Sequence, residues 1–119
     1  QGAGDPYNRG TYPWGHEDQE LIAFYARTIA RRRAEPLWRR GALALLAPHP
    51  DVLLVVRRVE NGRDALGDRA HNGCVLFAIN RSQTPLTLLL DPNDPRLAPF
   101  ARRLGEIALP PLTPIYFKA

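Results

Sequence analysis

Two segments decide the fold: DVLLVVRRVENG at residues 51–62 and NGCVLFAINRS at residues 72–82. Each contains an apolar run rich in Val, Leu or Ile and is bounded by turn residues, which predicts a β-strand at 52–59 and another at 75–80. The Asn-Gly dipeptides at 61–62 and 72–73 are both typical of turns. The residues between them are therefore predicted to form a long polar hairpin loop.

Further short apolar runs on either side extend this pattern and predict strands at 42–46, 86–90, 106–109 and 114–117. The connection DPNDP at 91–95 cannot be crossed by a regular strand, and RLAPFARRL at 96–104 predicts a short helical turn. Short strands separated by turns favour an antiparallel β-sandwich. The expected fold class is mainly β.

The residues before the sandwich predict a loop and one amphipathic helix. Residues 1–15 are rich in Gly and Pro and carry Tyr7, Tyr12 and Trp14, a loop composition. Residues 17–33 show apolar side chains at helical spacing, with acidic residues at the start and arginines towards the end. Pro36 disfavours helical geometry at Glu35 and is expected to stop the helix. The apolar face of this helix consists of Leu21, Phe24, Tyr25, Thr28 and Ile29.

Composition sets broad limits on function. The chain has 119 residues, of which 45% are hydrophobic and 24% charged, as in a globular domain. No run of about 18 apolar residues occurs, so we expect a soluble domain with no membrane partner, either cytoplasmic or secreted in a bacterium. The start QGAGDPYNRG has no initiating Met, basic start or apolar stretch, which indicates that the chain begins inside a longer protein. A processed terminus would look the same.

The residues do not assemble a catalytic or metal site. His16, His49 and His71 stand in separate loop contexts, and Ser82 lacks the turn of a serine nucleophile. The single cysteine, Cys74, lies in an apolar run and is predicted to be a buried structural thiol. The clustered carboxylates are explained by a helix start and a turn, and no phosphate-binding loop is present. We therefore predict no cofactor, no metal and no catalytic residue.

Read in order, several segments resemble one enzyme family. DPYNRGTYPWG at 5–15 resembles the loop after the last barrel strand of neopullulanases, cyclomaltodextrinases, maltogenic amylases and amylopullulanases, in the α-amylase family. ELIAFYARTIARRRAEPLWRRG at 20–41 resembles their closing barrel helix. VLFAINRS at 75–82 and IALPPLTPIYFKA at 107–119 resemble strands of their domain C. The polar stretch at 62–73 departs from the usual domain C and looks like an enlarged hairpin.

The resemblance implies a domain division and a function. Residues 1–40 would be the last barrel loop and closing helix of an incomplete (β/α)8 catalytic domain. Residues 41–119 would be the C-terminal Greek-key β-sandwich. The family hydrolyses α-glucosidic bonds in starch, pullulan or maltooligosaccharides with retention, using a carboxylate nucleophile and a carboxylic acid/base. Those carboxylates lie upstream in the family, so this chain alone is predicted to be inactive and to stabilise the barrel.

The resemblance also carries two residues to a substrate-binding role. Asp5 and Arg9 match the Asp and Arg of the family's D-P-x-x-R motif, which contacts glucose units of the α-glucan in the intact enzyme. A carboxylate and a guanidinium form a fixed fork for sugar hydroxyls. A contact between Asp5 and Arg9 within the turn is the alternative, and the residues do not decide between them. The nearby aromatic side chains could stack on sugars, although packing against the absent barrel is favoured.

Two other functions compete with this interpretation. A stand-alone carbohydrate-binding or interaction domain would need exposed aromatic residues on a flat face. After Gly41 the aromatic residues are Phe77, Phe100, Tyr116 and Phe117, and Phe77 with one or both of the last two is predicted to be core. The net charge of +4 raises nucleic-acid binding, but the arginines are spread along the chain, so no nucleic-acid partner is expected. Without the barrel, the Leu21/Phe24/Tyr25/Ile29 face predicts a homo-oligomer or a helix folded back on the sandwich.

Overall fold

The computed structural model describes residues 10–119, and the chain divides into two units at residues 31 and 32. The first unit contributes most of helix α1, Gln19–Ala34, which begins where the acidic residues predicted a helix start. The Asp18 carboxylate caps it by accepting a hydrogen bond from the Leu21 amide at 2.9 Å. The helix ends before Glu35, as predicted from Pro36.

The second unit is an antiparallel β-sandwich, which confirms the predicted fold class. Its larger sheet has the strand order β1-β2-β3-β6 and its smaller sheet pairs β4 with β5. Six strands make up these sheets: β1 Ala42–His49, β2 Val52–Val59, β3 Gly73–Asn80, β4 Leu86–Leu89, β5 Glu106–Leu109 and β6 Ile115–Lys118. From β3 the chain crosses to the β4–β5 sheet and returns to pair with β3 as β6.

The β2–β3 hairpin confirms one of the two predicted turns and corrects the other. Asn61 and Gly62 both have positive φ (56° and 67°), and the Arg63 amide donates to the Glu60 carbonyl at 3.1 Å. This is the geometry for which Asn-Gly is favoured. Gly73, however, is not a turn residue, because it opens β3 and pairs with Val59. The loop between the strands is therefore polar and long, as predicted, but the second strand begins two residues earlier.

The core lies between the two sheets and beneath a short helix. Alternate residues of β2 and β3 point inward and are fully buried, among them Leu54 and Leu76. Helix α3, Ala98–Leu104, fills the predicted 96–104 turn and places Phe100 in this core at 1% exposed. Cys74 also packs there, which confirms the predicted buried thiol.

Two features differ from the predictions. A second short helix, α2, Leu37–Arg40, follows directly after Pro36, because proline stops one helix yet fits the beginning of the next. Phe77 was predicted to be core but lies on the outer face of β3, half-buried and 5.3 Å from the ring of Tyr116. Cys74, Leu76 and the alternate positions of the same strand take the inward places.

Candidate functional site

The predicted sugar-contacting residues, Asp5 and Arg9, lie outside the described residues, as does Tyr7. The other two aromatic residues of the loop are described. Tyr12 is 53% exposed and Trp14 80% exposed, and their rings meet edge to face with centroids 4.6 Å apart. The structure therefore shows two accessible aromatic rings that pack on each other.

The apolar residues of α1 are also accessible. No residue of this helix is buried, and the exposed fractions of its large apolar side chains range from 45% to 58%: Leu21, Ile22, Phe24, Tyr25 and Ile29. Phe24 and Tyr25 contact each other with ring centroids 5.8 Å apart. The helix thus presents apolar surface of the kind that marks association sites.

A second apolar surface covers the outside of the four-stranded sheet. We call it the outer sheet face, and its apolar side chains come from all four strands: Leu43, Leu45, Leu53, Val55, Phe77, Ile79 and Tyr116. The same register places Arg57 on this face, opposite Leu43. One cross-strand row, Leu45–Val55–Phe77–Tyr116, spans the whole sheet. Leu43, Leu45 and Leu53 are 52%, 59% and 41% exposed.

Strand sequence explains why this face is apolar. The runs LLVV in β2 and CVLFAI in β3 are continuous, so both faces of each strand carry apolar side chains. A strand with one solvated face normally alternates apolar and polar residues, whereas a continuous run is typical of strands covered on both sides. This signal was present in the sequence and could have predicted the outer sheet face.

Helix α2 covers one end of the outer sheet face. Leu37 packs there with Val59 and Val75, and all three are buried. Trp38 extends the covered area, because its ring lies edge to face with that of Tyr116 at 5.8 Å. The open part of the face therefore adjoins a part that is already packed as densely as a core.

Beside α2 lies a polar cleft of about 900 Å³. Its lining includes the apolar residues Leu37, Val59 and Ala70. Its polar lining residues come from the 60–72 loop, from both ends of α2 and from the end of β6: Glu35, Arg40, Asn61, Arg63, Arg69, His71, Asn72 and Lys118. Among these polar residues, Lys118 forms an ion pair with Glu35. Burial of the Glu35 carboxylate opposes ionisation, but Lys118 and the Leu37 amide outweigh it and lower its pKa.

A buried carboxylate organises the loop that forms this cleft. Asp64 has no exposed side-chain surface and accepts hydrogen bonds from Arg40 Nε at 2.6 Å and from the amides of Leu66 and Asp68 at 2.9 Å. Its burial opposes ionisation, but the hydrogen bonds from Arg40 and the two amides outweigh burial and lower its pKa. The loop is therefore held around a carboxylate whose ionised form is favoured.

The Asn-Arg-Ser segment at 80–82, one of the resembling motifs, has a structural role here. Asn80 is completely buried, and its amide nitrogen donates to the carbonyls of Thr84 at 2.7 Å and Leu109 at 3.2 Å. Its carbonyl oxygen accepts from the amide and the hydroxyl of Ser82. One side chain thus joins β3, the following turn and β5, which links the two sheets.

The described part of the chain shows no constellation for nucleophilic or metal chemistry. No group of three or more His, Cys, Asp or Glu side chains within residues 10–119 is placed to bind a metal ion. Burial raises the pKa of the Cys74 thiol, which disfavours the thiolate. No helix among these residues has the length and hydrophobicity that crossing a membrane requires.

Comparison with known proteins agrees with the resemblance found in the sequence. Over 90 residues, or 76% of this chain, it is 34% identical to the amylopullulanases of Thermoanaerobacterium saccharolyticum and Thermoanaerobacterium thermosulfurigenes. Over 80 residues, or 67% of the chain, it is 34% identical to the amylopullulanase of Thermoanaerobacter thermohydrosulfuricus. The matched segments make up only 5 to 7% of these relatives. No family model matches the chain, and neither does any solved structure.

The β-sandwich with its preceding helix and these matches point to one class: the chain is similar to a short segment of α-amylase-family enzymes. Within that family, the relatives it resembles are amylopullulanases, large enzymes compared with this chain.

Proposed function

We propose that this chain is the C-terminal part of a retaining α-glucan hydrolase that acts on starch, pullulan or maltooligosaccharides. In this proposal the sandwich is structural. It packs against the catalytic barrel through the outer sheet face and stabilises it, and the 119-residue chain has no hydrolytic activity alone. The observation that carries the proposal is the apolar row from Leu45 to Tyr116, which crosses four strands.

Physical considerations favour a protein partner for this face. Three of its leucines are 41% to 59% exposed on neighbouring strands, and with the row from Leu45 to Tyr116 they form an apolar patch that Arg57 borders. Patches of this kind on soluble proteins mark interaction sites, because leaving them in water costs free energy. A flat apolar sheet beside a packed helix suits the side of another folded domain. The amylopullulanase relatives are many times longer than the chain, which is in keeping with a further domain beside this face.

Three finer assignments belong to the same proposal. Asp5 and Arg9 contact glucose units of the α-glucan in the intact enzyme. Residues 1–40 complete the barrel and residues 41–119 form the C-terminal domain. In the absence of the barrel, the Leu21/Phe24/Tyr25/Ile29 face of α1 drives self-association.

The proposal is tested with the parent enzyme divided into its catalytic part and this chain. The catalytic part alone should unfold at a lower temperature than the intact enzyme, and adding this chain in trans should restore part of the difference. The chain alone should release no reducing ends from pullulan or maltooligosaccharides. The matched control is the same chain with Leu45→Asp, which places a charge in the middle of the outer sheet face.

The outcomes separate this function from the alternative. Restoration by the natural chain and not by the Leu45→Asp chain would support packing through the outer sheet face. Equal restoration by both would refute that surface. Binding of the isolated chain to insoluble starch, with no effect on the catalytic part, would instead identify a carbohydrate-binding domain.

A further inference from the structure

The polar cleft beside α2 adjoins the end of the outer sheet face that α2 covers, since Leu37 and Val59 belong to both, but the cleft has no role in the proposed function. Its walls come from three places that are distant in sequence: the α1–α2 junction, the 60–72 loop and the last residues of β6. The loop belongs to the stretch that departs from the usual domain C of the resembling enzymes. The resemblance to those enzymes therefore does not explain the cleft that this stretch forms.

The charged groups of the cleft fall into two sets. Glu35 is paired with Lys118, and Arg40 is paired with the buried Asp64, so these four charges neutralise each other. The guanidinium groups of Arg63 and Arg69 remain, and neither forms an ion pair with any residue in the described range 10–119. The unbalanced charge of the cleft is thus positive.

These two arginines are also direct cross-strand neighbours. Arg63 and Arg69 are partners in an antiparallel bridge, and both line the cleft. Like charges in such a pair destabilise it, because the two side chains start about 5 Å apart. A bound anion between them would convert this repulsion into two charge-assisted interactions.

The backbone that carries these arginines is fixed in advance. Arg40 Nη2 donates to the Arg69 carbonyl at 3.2 Å, and Arg63 Nη1 donates to the Gly67 carbonyl at 3.1 Å. The Asn72 side chain accepts from the Gly62 amide at 2.7 Å. A ligand therefore meets a loop that has already lost much of its conformational freedom, which reduces the entropic cost of binding.

We propose that this cleft binds an oxyanion of the phosphate or phosphomonoester class between Arg63 and Arg69. Guanidinium groups recognise such anions through paired N–H donors. The apolar lining residues Leu37, Val59 and Ala70 can contact the organic part of an ester. A neutral glucan is disfavoured, because no Phe, Tyr or Trp ring among the described residues lines the cleft for a sugar to stack on.

The test is a titration of the ¹⁵N-labelled 119-residue chain with inorganic phosphate, glucose 6-phosphate and glucose at constant ionic strength. We expect phosphate and glucose 6-phosphate, but not glucose, to shift the amide signals of residues 61–72. Arg69→Gln should weaken phosphate binding roughly tenfold, since one charge-assisted hydrogen-bonding group is lost. Arg63→Gln provides a second variant at the same site. Arg102→Gln is the matched control, because it removes the same charge from an exposed position on α3 outside the cleft.

Each outcome bears on the proposal. Tighter binding of glucose 6-phosphate than of phosphate would identify an ester as the ligand, and equal binding would identify the free oxyanion. The proposal would be overturned if phosphate produced no shifts at tens of millimolar concentration. It would also be overturned if glucose shifted the same amides as glucose 6-phosphate, or if Arg102→Gln weakened binding as much as Arg69→Gln.

Discussion

Replacing Leu43, Leu45 and Leu53 together by serine should affect the isolated chain and the intact enzyme very differently. These side chains are already 52%, 59% and 41% exposed in the chain by itself. About half of each side chain is already covered, so the triple variant should lose only the contribution of that half in the isolated chain. In the intact enzyme the same leucines would be covered by the barrel, and their replacement should also remove the free energy gained by covering the rest of each side chain.

The expected difference follows from the exposed surface that remains to be covered. Complete burial of a leucine side chain contributes about 1.5–3 kcal/mol. About half of each side chain is still exposed here, so covering the three should contribute roughly 2–4 kcal/mol. The triple variant should therefore lose about that much more stability in the intact enzyme than in the isolated chain.

The measurement is urea unfolding of the natural and variant forms in both contexts, followed by circular dichroism. Leu66→Ser and Leu89→Ser are the controls, because they alter leucines 85% and 76% exposed that are not part of the outer sheet face. Each control should change stability by less than about 0.5 kcal/mol in both contexts. Equal losses for the triple variant in the two contexts would refute packing of this face on another domain.

Three further predictions concern the sandwich itself. A side-chain hydrogen bond from Arg96 lowers the pKa of Asp94 to about 2, from 3.8. Because the folded-state pKa is the lower one, its stabilisation is complete above about pH 4 and is lost as the pH falls towards 2. Asp94→Asn should remove this part of the acid sensitivity in unfolding curves measured between pH 2 and 5, and an unchanged pH dependence would contradict the assignment. Gly41→Ala should cost about 1–3 kcal/mol in urea unfolding, since the new Cβ would lie 2.8 Å from other backbone atoms. Gly10→Ala, whose added Cβ meets no atom of residues 10–119 within 4 Å, should have little effect, and equal losses would count against a steric cause. Asn80→Ala should cost about 2–4 kcal/mol by thermal unfolding, because it leaves buried groups without partners. A change below about 1 kcal/mol would show that water replaces the amide.

Local patterns were sufficient to predict most of the strands. The bounds 52–59 and 106–109 agree with β2 and β5, because each run ends at residues that cannot continue a strand. It was harder to predict which side chains of each strand point into the core. In a continuous apolar run, odd- and even-numbered residues are equally suited to burial, and only the position of the second sheet determines which set is buried. Phe77 was assigned to the core for this reason, and the structure places it outside.

The candidate sites depended still more on distant contacts. The cleft exists because Arg40 reaches Asp64, 24 residues further along the chain, and Lys118 reaches Glu35 across 83 residues. No local pattern indicates such pairs. The outer sheet face could have been recognised from the continuous runs in β2 and β3, but its extent required the strand order β1-β2-β3-β6.

The ion pair between Glu35 and Lys118 has a consequence for how this unit can be joined to other proteins. It brings together the residue where the sandwich unit departs from α1 and the residue near the end of its last strand. Just beyond, Ala119 and Cys74 exchange backbone hydrogen bonds at 3.0 and 3.2 Å, so the terminal residue is fixed as well. The segments by which the chain enters this unit and reaches its last strand therefore lie side by side. A unit of this geometry can be inserted into a surface loop of another protein without forcing the two sides of that loop apart.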